Sequence, residues 1–374
     1  MDMPTIGVEE WLNVWERSAT TDIAQSTIAS LTMAELRALD RADGAEFYEL
    51  LDRETMNYGW IEGSPAFKHE VKGLYRKDID PADILQTNGC TGANLNALMA
   101  LVSPGDHVIA EWPTYAPLYE IPRALGAEVE YWQIKEELDW NPDIKDLERL
   151  IRPDTRLICI NNASNPIGTI LSTDTLHQLA EIAASVGAYV LCDEVYQPMD
   201  GEAEYESIID AYERGIATNS VSKTYSTPGA RCGWVIAPRE VSDRIRVCRD
   251  YTMICGGVFS DTLGTYVLRH RDAILARNRD ILLRNRELAQ RWIDVQPRVS
   301  WVAPKGVSTA FVRLDIPEKD ETFCRRLLER RGVLLVPGSR FELPCGARLG
   351  YCAQTEVLRR GLALFGEELA ELDR

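Results

Sequence analysis

Lys223 closes the run Ser220-Val221-Ser222-Lys223 behind an apolar stretch, and Arg231 follows in Gly229-Ala230-Arg231-Cys232-Gly233. A lysine at the C-terminal edge of a buried strand sits where open sheets bind ligands. Partial burial lowers its pKa and makes its amine a nucleophile toward aldehydes. The chemistry this permits is Schiff-base formation. The hydroxyls of Ser220 and Ser222 and the guanidinium fork of Arg231 make a phosphate cradle, because guanidinium meets phosphate oxygens two at a time. Taken alone, S-x-S-K also fits a plain structural loop.

Three further segments carry related chemistry. Tyr189-Val190-Leu191-Cys192-Asp193-Glu194-Val195-Tyr196 is an apolar strand ending in two acids and an aromatic hydroxyl. An ionised, buried Asp193 needs a cation, and a protonated ring nitrogen is one; capping the next helix is its other use. Asn161-Asn162-Ala163-Ser164-Asn165-Pro166-Ile167-Gly168 follows another apolar strand and is dense in turn-formers and amide donors. Thr87-Asn88-Gly89-Cys90-Thr91-Gly92 leads into a helix running on to Leu101, whose free N–H groups and dipole suit a phosphate.

The elements that must position these groups follow from periodicity. From about residue 64 to 240, helical patterns alternate with short apolar, β-branched runs, as in β-α units around a mostly parallel sheet. Strands are expected at His107–Glu111, Val129–Gln133, Arg156–Asn161, Tyr189–Asp193, Ile216–Val221 and Trp234–Ile236. A crossover helix is expected over Leu171–Ala188, with Ser172 as N-cap and Gly187 as its stop. Beyond Ser260, amphipathic stretches at Thr262–Val295 and Glu321–Arg331 flank short strands near Thr309–Leu314, Val333–Val336 and Arg348–Gly350, which predicts a smaller α+β domain. The first forty residues read as helical and polar, with Trp11 and Trp15, and are too short for their own core, so they should pack on another part of the molecule.

Composition limits the partners. The chain has 374 residues, of which 45% are hydrophobic and 26% charged, the profile of an ordinary globular protein with more than one domain. A formal charge of −17 repels phosphate backbones and anionic membranes, so neither nucleic acid nor a membrane is expected as a partner. The doublets Arg325-Arg326 and Arg330-Arg331 read as solvated helix faces. Nine scattered cysteines and four histidines show no metal-ligand spacing; no metal is expected, and the thiols read as reduced and cytoplasmic. No basic leader and no apolar run of roughly 18 residues is visible, which points the same way.

The segments stand in one order: the Gly89 helix start, the aromatic turn Pro113-Thr114-Tyr115-Ala116-Pro117, the Asn165-Pro166 turn, the strand with Asp193-x-x-Tyr196, then Ser220-x-Ser222-Lys223 with Arg231 downstream. This order resembles the class I/II aminotransferase family, fold type I of the pyridoxal phosphate (PLP) enzymes, from about Tyr58 to Arg348. The resemblance implies an α/β fold with a mostly parallel central sheet, helices on both faces and a smaller α+β C-terminal domain. It divides the chain into an N-terminal arm (1–40), a large PLP-binding domain (41–265) and a small domain (266–374). It implies PLP held as an imine on Lys223, Asp193 on the ring nitrogen, Tyr196 and Asn165 on the ring oxygen, and Tyr115 stacked on the ring. Gly89, Cys90, Thr91, Ser220, Ser222 and Arg231 would hold the phosphate, joined by Tyr58 from the other subunit of a homodimer. Arg348, in Ala347-Arg348-Leu349-Gly350-Tyr351, would grip the substrate α-carboxylate beside Asn165.

The implied reaction moves an amino group between an amino acid and a 2-oxo acid, with Lys223 moving the proton. Two departures stand out. Ala163 and Ile167 replace the more usual proline and threonine of the Asn-Pro turn. At the N-terminus no short glycine-containing strand is visible, only Thr21-Asp22-Ile23-Ala24-Gln25-Ser26. Since that segment borders the substrate in relatives, a lyase, cyclase or oxidase of a specialised pathway is the alternative.

Overall fold

The structure, a computed structural model, describes residues 3–40, 44–202 and 204–373. Its strands are β1 Thr21–Asp22, β2 Ile84–Asn88, β3 His107–Trp112, β4 Glu128–Gln133, β5 Thr155–Asn161, β6 Tyr189–Asp193 and β7 Gly215–Ser220, followed by β8 Cys232–Ile236, β9 Val299–Trp301, β10 Ala310–Leu314, β11 Val333–Leu334, β12 Val336–Pro337 and β13 Gly346–Leu349. Seven form the central sheet in the order β2-β8-β7-β6-β5-β3-β4, parallel except that β8 runs against both its neighbours. Alternate residues feed two apolar clusters: Ile109, Ile158 and Val190 enter one, and Val108, Leu157 and Leu191 the other. Both faces are therefore covered, as a nearly all-apolar parallel strand requires.

The crossover helix is Thr173–Val186; the Ser172 hydroxyl accepts from the Thr175 N–H at 3.1 Å, and Gly187 ends it at φ +72°. Three strands escape a search for apolar runs: the two-residue β1, β2, whose Gln86 and Thr87 are polar yet fully buried, and the short β9. Thr262–Val295 proves to be two helices, Val258–Arg269 and Arg271–Ile293, meeting at His270. Val333–Val336 is likewise divided: β11 pairs with β1, whereas β12 joins β13, β10 and β9 in the four-stranded antiparallel sheet.

The N-terminal residues are helical only over Gly7–Trp15, a 3-10 turn at Glu16–Ser18, and Met33–Arg37. They dock on the C-terminal part of the chain. Trp11 is buried and its indole N–H donates to the Leu335 carbonyl at 2.9 Å. Beyond it β1 lies parallel to β11, so the strand that the sequence did not reveal is present, two residues long and without glycine. Glycine is needed on the other side of this contact. A Cβ on Gly350 would stand 1.8 Å from the Gln25 carbonyl oxygen. Gly350 is therefore what lets the segment approach so closely.

Candidate active site

β5, β6 and β7 end at one edge of the sheet on Asn161, Asp193 and Ser220, with Asn161 opposite Asp193 and Asp193 opposite Thr218. Because β8 runs the other way, Arg231, which precedes it, arrives at the same edge. Asn88, the last residue of β2, lies opposite Cys232 and hands the chain to the helix Gly89–Leu101. The topology thus collects residues far apart in sequence around a cavity of about 410 Å³. Its lining includes Cys90, Thr91, Tyr115, Asn165, Asp193, Tyr196, Ser220, Ser222, Lys223, Arg231 and Arg348.

Gly89 adjoins the cavity: a Cβ there would stand 2.5 Å from the Arg231 guanidinium, so only glycine lets the arginine reach the helix start. Tyr58 is not brought to the site. It is 69% exposed on the outer surface.

Lys223 projects its amine into the cavity and donates to the Ser26 hydroxyl at 2.8 Å. Burial, reinforced by the charge of Arg348, lowers its pKa to about 8. Asp193 is buried and accepts from Asn94 Nδ2 at 2.6 Å, the Val195 N–H at 3.1 Å and the Cys90 thiol at 3.3 Å. The Asn94 amide is itself oriented by Thr218, whose hydroxyl donates to its Oδ1 at 2.6 Å. These donors do not match the cost of burial, and the Asp193 pKa remains raised. Tyr196, pushed up to about 12 by burial, shares Ser26 as a partner.

Arg348 is 3% exposed. It donates to the Ala24 carbonyl at 2.9 and 3.2 Å and to Asn165 Oδ1 at 3.1 Å. Asn165 in turn is fixed by Asn161, whose Oδ1 accepts its N–H at 2.9 Å. Below that turn Glu111, its carboxyl pushed up to about 7 by burial, accepts the Asn161 N–H at 2.8 Å.

Sequence reasoning missed Ser26, Asn94 and Thr218. A polar residue such as Asn94 amid the apolar surface of a buried helix was the available signal. Ser26 closes the segment expected to border the substrate, but its contact with Lys223 depends on a two-residue strand and could not be read from the sequence.

The residues fit PLP. Lys223, Arg231 and Arg348 face one cavity, and no carboxylate of a described residue forms an ion pair with any of them. A guanidinium as buried as Arg348 calls for an anionic ligand, and the unpaired, buried Asp193 calls for a cationic one. A phosphate, a carboxylate and a protonated ring nitrogen meet these demands together.

The fold and this cavity define a PLP enzyme of fold type I. More narrowly, the chain belongs to the class I and II aminotransferases, whose family model matches residues 24–363. It is similar to capreomycidine synthase of Streptomyces vinaceus, 29% identical over 377 residues that cover 98% of this chain and 94% of that protein. A solved PLP-dependent aminotransferase from Streptococcus suis 89-1591 is 51% identical, with a TM-score of 0.97 and full coverage of both chains. The solved PLP-dependent cyclase OrfR is 26% identical, with a TM-score of 0.87 over 99% of this chain and 98% of that one.

Proposed function

We propose that the enzyme transfers an amino group between an amino acid and a 2-oxo acid. The observation that supports this best is Arg348, a buried cation without an anion, in the same cavity as the low-pKa amine of Lys223. Bound here, PLP supplies an electron-accepting ring for the pair released when a bond at the substrate α-carbon breaks. Lys223 would hold the cofactor, and its amine would move the proton at the substrate α-carbon. Ser26, 2.8 Å away, keeps the amine aimed into the cavity. Asp193 keeps the ring nitrogen protonated, and Asn94 and Thr218 position Asp193. Tyr196 and Asn165 take the ring oxygen, and Tyr115, its hydroxyl 3.3 Å from that of Thr91, supports the ring. Gly89, Cys90, Thr91, Ser220, Ser222 and Arg231 form the phosphate cradle, and Arg348 with Asn165 takes the substrate α-carboxylate.

The test is spectroscopic: single amino acids are added to the PLP-loaded enzyme without an oxo acid. One stoichiometric, oxygen-independent conversion of the cofactor to its amine form is expected. Many turnovers, or oxygen uptake, would instead establish the second reading, a lyase, cyclase or oxidase. That reading is favoured by the resemblance to capreomycidine synthase and OrfR and by the hydroxyl of Ser26 placed between Lys223 and Tyr196. Arg348→Ala is expected to raise the substrate KM about 100-fold, the scale of two charge-assisted hydrogen bonds, while the cofactor Kd changes far less. Loss of cofactor occupancy in that variant would reassign Arg348.

We also propose a cytoplasmic homodimer, with the chain divided at 40/41 and 265/266; residues 41–43 lie outside the described residues. Tyr58, Trp60 and Ile61 lie exposed, the Arg249 guanidinium donates to the Ile61 carbonyl, and exposed apolar side chains here suit a subunit contact that would carry Tyr58 to the partner's phosphate. Nine free cysteines suit a reducing compartment.

A further inference from the structure

The N-terminal helix Gly7–Trp15 lies over the mouth of the active cavity. Val8, Glu9 and Leu12, with Glu16 just beyond the helix end, line it at the spacing of one helix face. The next face carries Trp11, which anchors the helix to the Leu335 carbonyl. The acids of this segment are not equivalent. Glu10 is ion-paired to Arg340 at 2.6 Å, and Glu16 accepts from the Gln25 amide at 2.9 Å. The Glu9 side chain accepts no hydrogen bond and forms no ion pair with another described residue, and its charge reaches Lys223 and Arg348 across the cavity.

Among the described residues of one chain the cations of the lining are Lys223, Arg231 and Arg348, and the proposed function employs all three. None remains for a carboxylate on the substrate side chain. Such a group would approach Glu9 and be repelled. A neutral side chain would leave Glu9 unused. A side chain with an apolar stem and a cationic end places its stem against Val8 and Leu12 and its charge at Glu9, the arrangement long basic side chains adopt at an apolar surface.

We propose that the enzyme selects amino acids bearing a cation at the end of the side chain, and that Glu9 is the residue that reads that cation. The inference rests on the reading of the cavity as an amino acid site, and it is independent of what becomes of the amino group.

The test measures calorimetric affinities of the PLP-loaded enzyme for two pairs of amino acids matched in length: L-arginine with L-citrulline, and L-lysine with L-norleucine. At least one basic member is expected to bind about tenfold more tightly than its neutral partner, as for one charge-assisted contact open to solvent, and the preference shrinks with added salt. Glu9→Gln is expected to remove most of that preference, and Glu9→Lys to reverse it. Equal affinities within both pairs, or a preference that survives Glu9→Gln, overturns the proposal. So does tighter binding of L-glutamate than of any basic amino acid. Selective binding through Glu9 with no cofactor conversion sinks transamination and leaves this inference standing. Conversion by basic, neutral and acidic amino acids alike does the opposite.

Discussion

Lys223→Ala is expected to yield a folded protein that has lost turnover by about 10⁴-fold or more and shows no visible absorption from a lysine-bound cofactor. Two functions go at once. Among the described residues the amine is the only lysine amine lining the cavity, so no neighbour there can take over the nucleophile or the proton carrier; general acid–base work alone accounts for about 10²–10⁴-fold. The fold should be spared, because the amine sits in surroundings that lower its pKa and so resist its charge. Removing such a group leaves stability unchanged or improves it. A thermal unfolding midpoint at or above that of the parent, together with the absorption spectrum, tests both halves. Full activity in this variant would dismantle the scheme.

The same lysine gives a pH prediction. Only the neutral amine attacks an aldehyde, and the pKa is lowered from 10.5 to about 8. The rate at which cofactor-free protein captures PLP should therefore rise with pH and level off above about 8. A rate still climbing at pH 10 would mean that the amine titrates as an ordinary lysine.

Asp193→Asn is expected to lower kcat by about 10³-fold and to weaken cofactor binding, while the lysine-bound absorption persists when the protein is saturated with PLP. The substitution keeps the shape but removes the charge opposite the ring nitrogen. Breaking a buried charged pair costs about 3–5 kcal/mol, and here the loss falls on the electron-accepting state of the ring. Folding is expected to suffer little, because burial already raises the pKa of Asp193 and the carboxylate is unfavourable there without its partner. Measuring kcat at full cofactor occupancy, alongside the PLP dissociation constant, separates this outcome from a failure to bind. Undiminished kcat would remove Asp193 from the ring nitrogen.

Most of this site was legible before any coordinates. Lys223, Asp193 and Asn165 each terminate or follow an apolar run long enough to announce a buried strand, and the edge where such strands end is where ligands bind. Arg231 was legible because it follows Ser220-x-Ser222-Lys223 and its guanidinium fork suits a phosphate, although the need for Gly89 beneath that guanidinium emerges only in three dimensions. What escaped shares a physical cause. β1 is two residues long, too short for any periodicity, and its pairing with β11 joins Thr21 to Val333 across most of the chain. Ser26 inherits its place from that pairing. β2 escaped because Gln86 and Thr87 look like surface residues and are buried. The inward face of Glu9 was hidden because Glu9 and Glu10 are identical in type; only the ion pair with Arg340 tells them apart.

The pairing of β1 with β11 also bears on how such an enzyme can diverge. The residues proposed to hold the cofactor lie at the edge of the central sheet, whereas the helix above the cavity is attached through Trp11 and two short strands to a different part of the chain. Mutation can therefore redraw the upper wall of the cavity without disturbing the apparatus beneath it. Exchanging residues 7–20 between homologues is expected to transplant substrate preference as a cassette while the residues proposed to hold the cofactor stay in place.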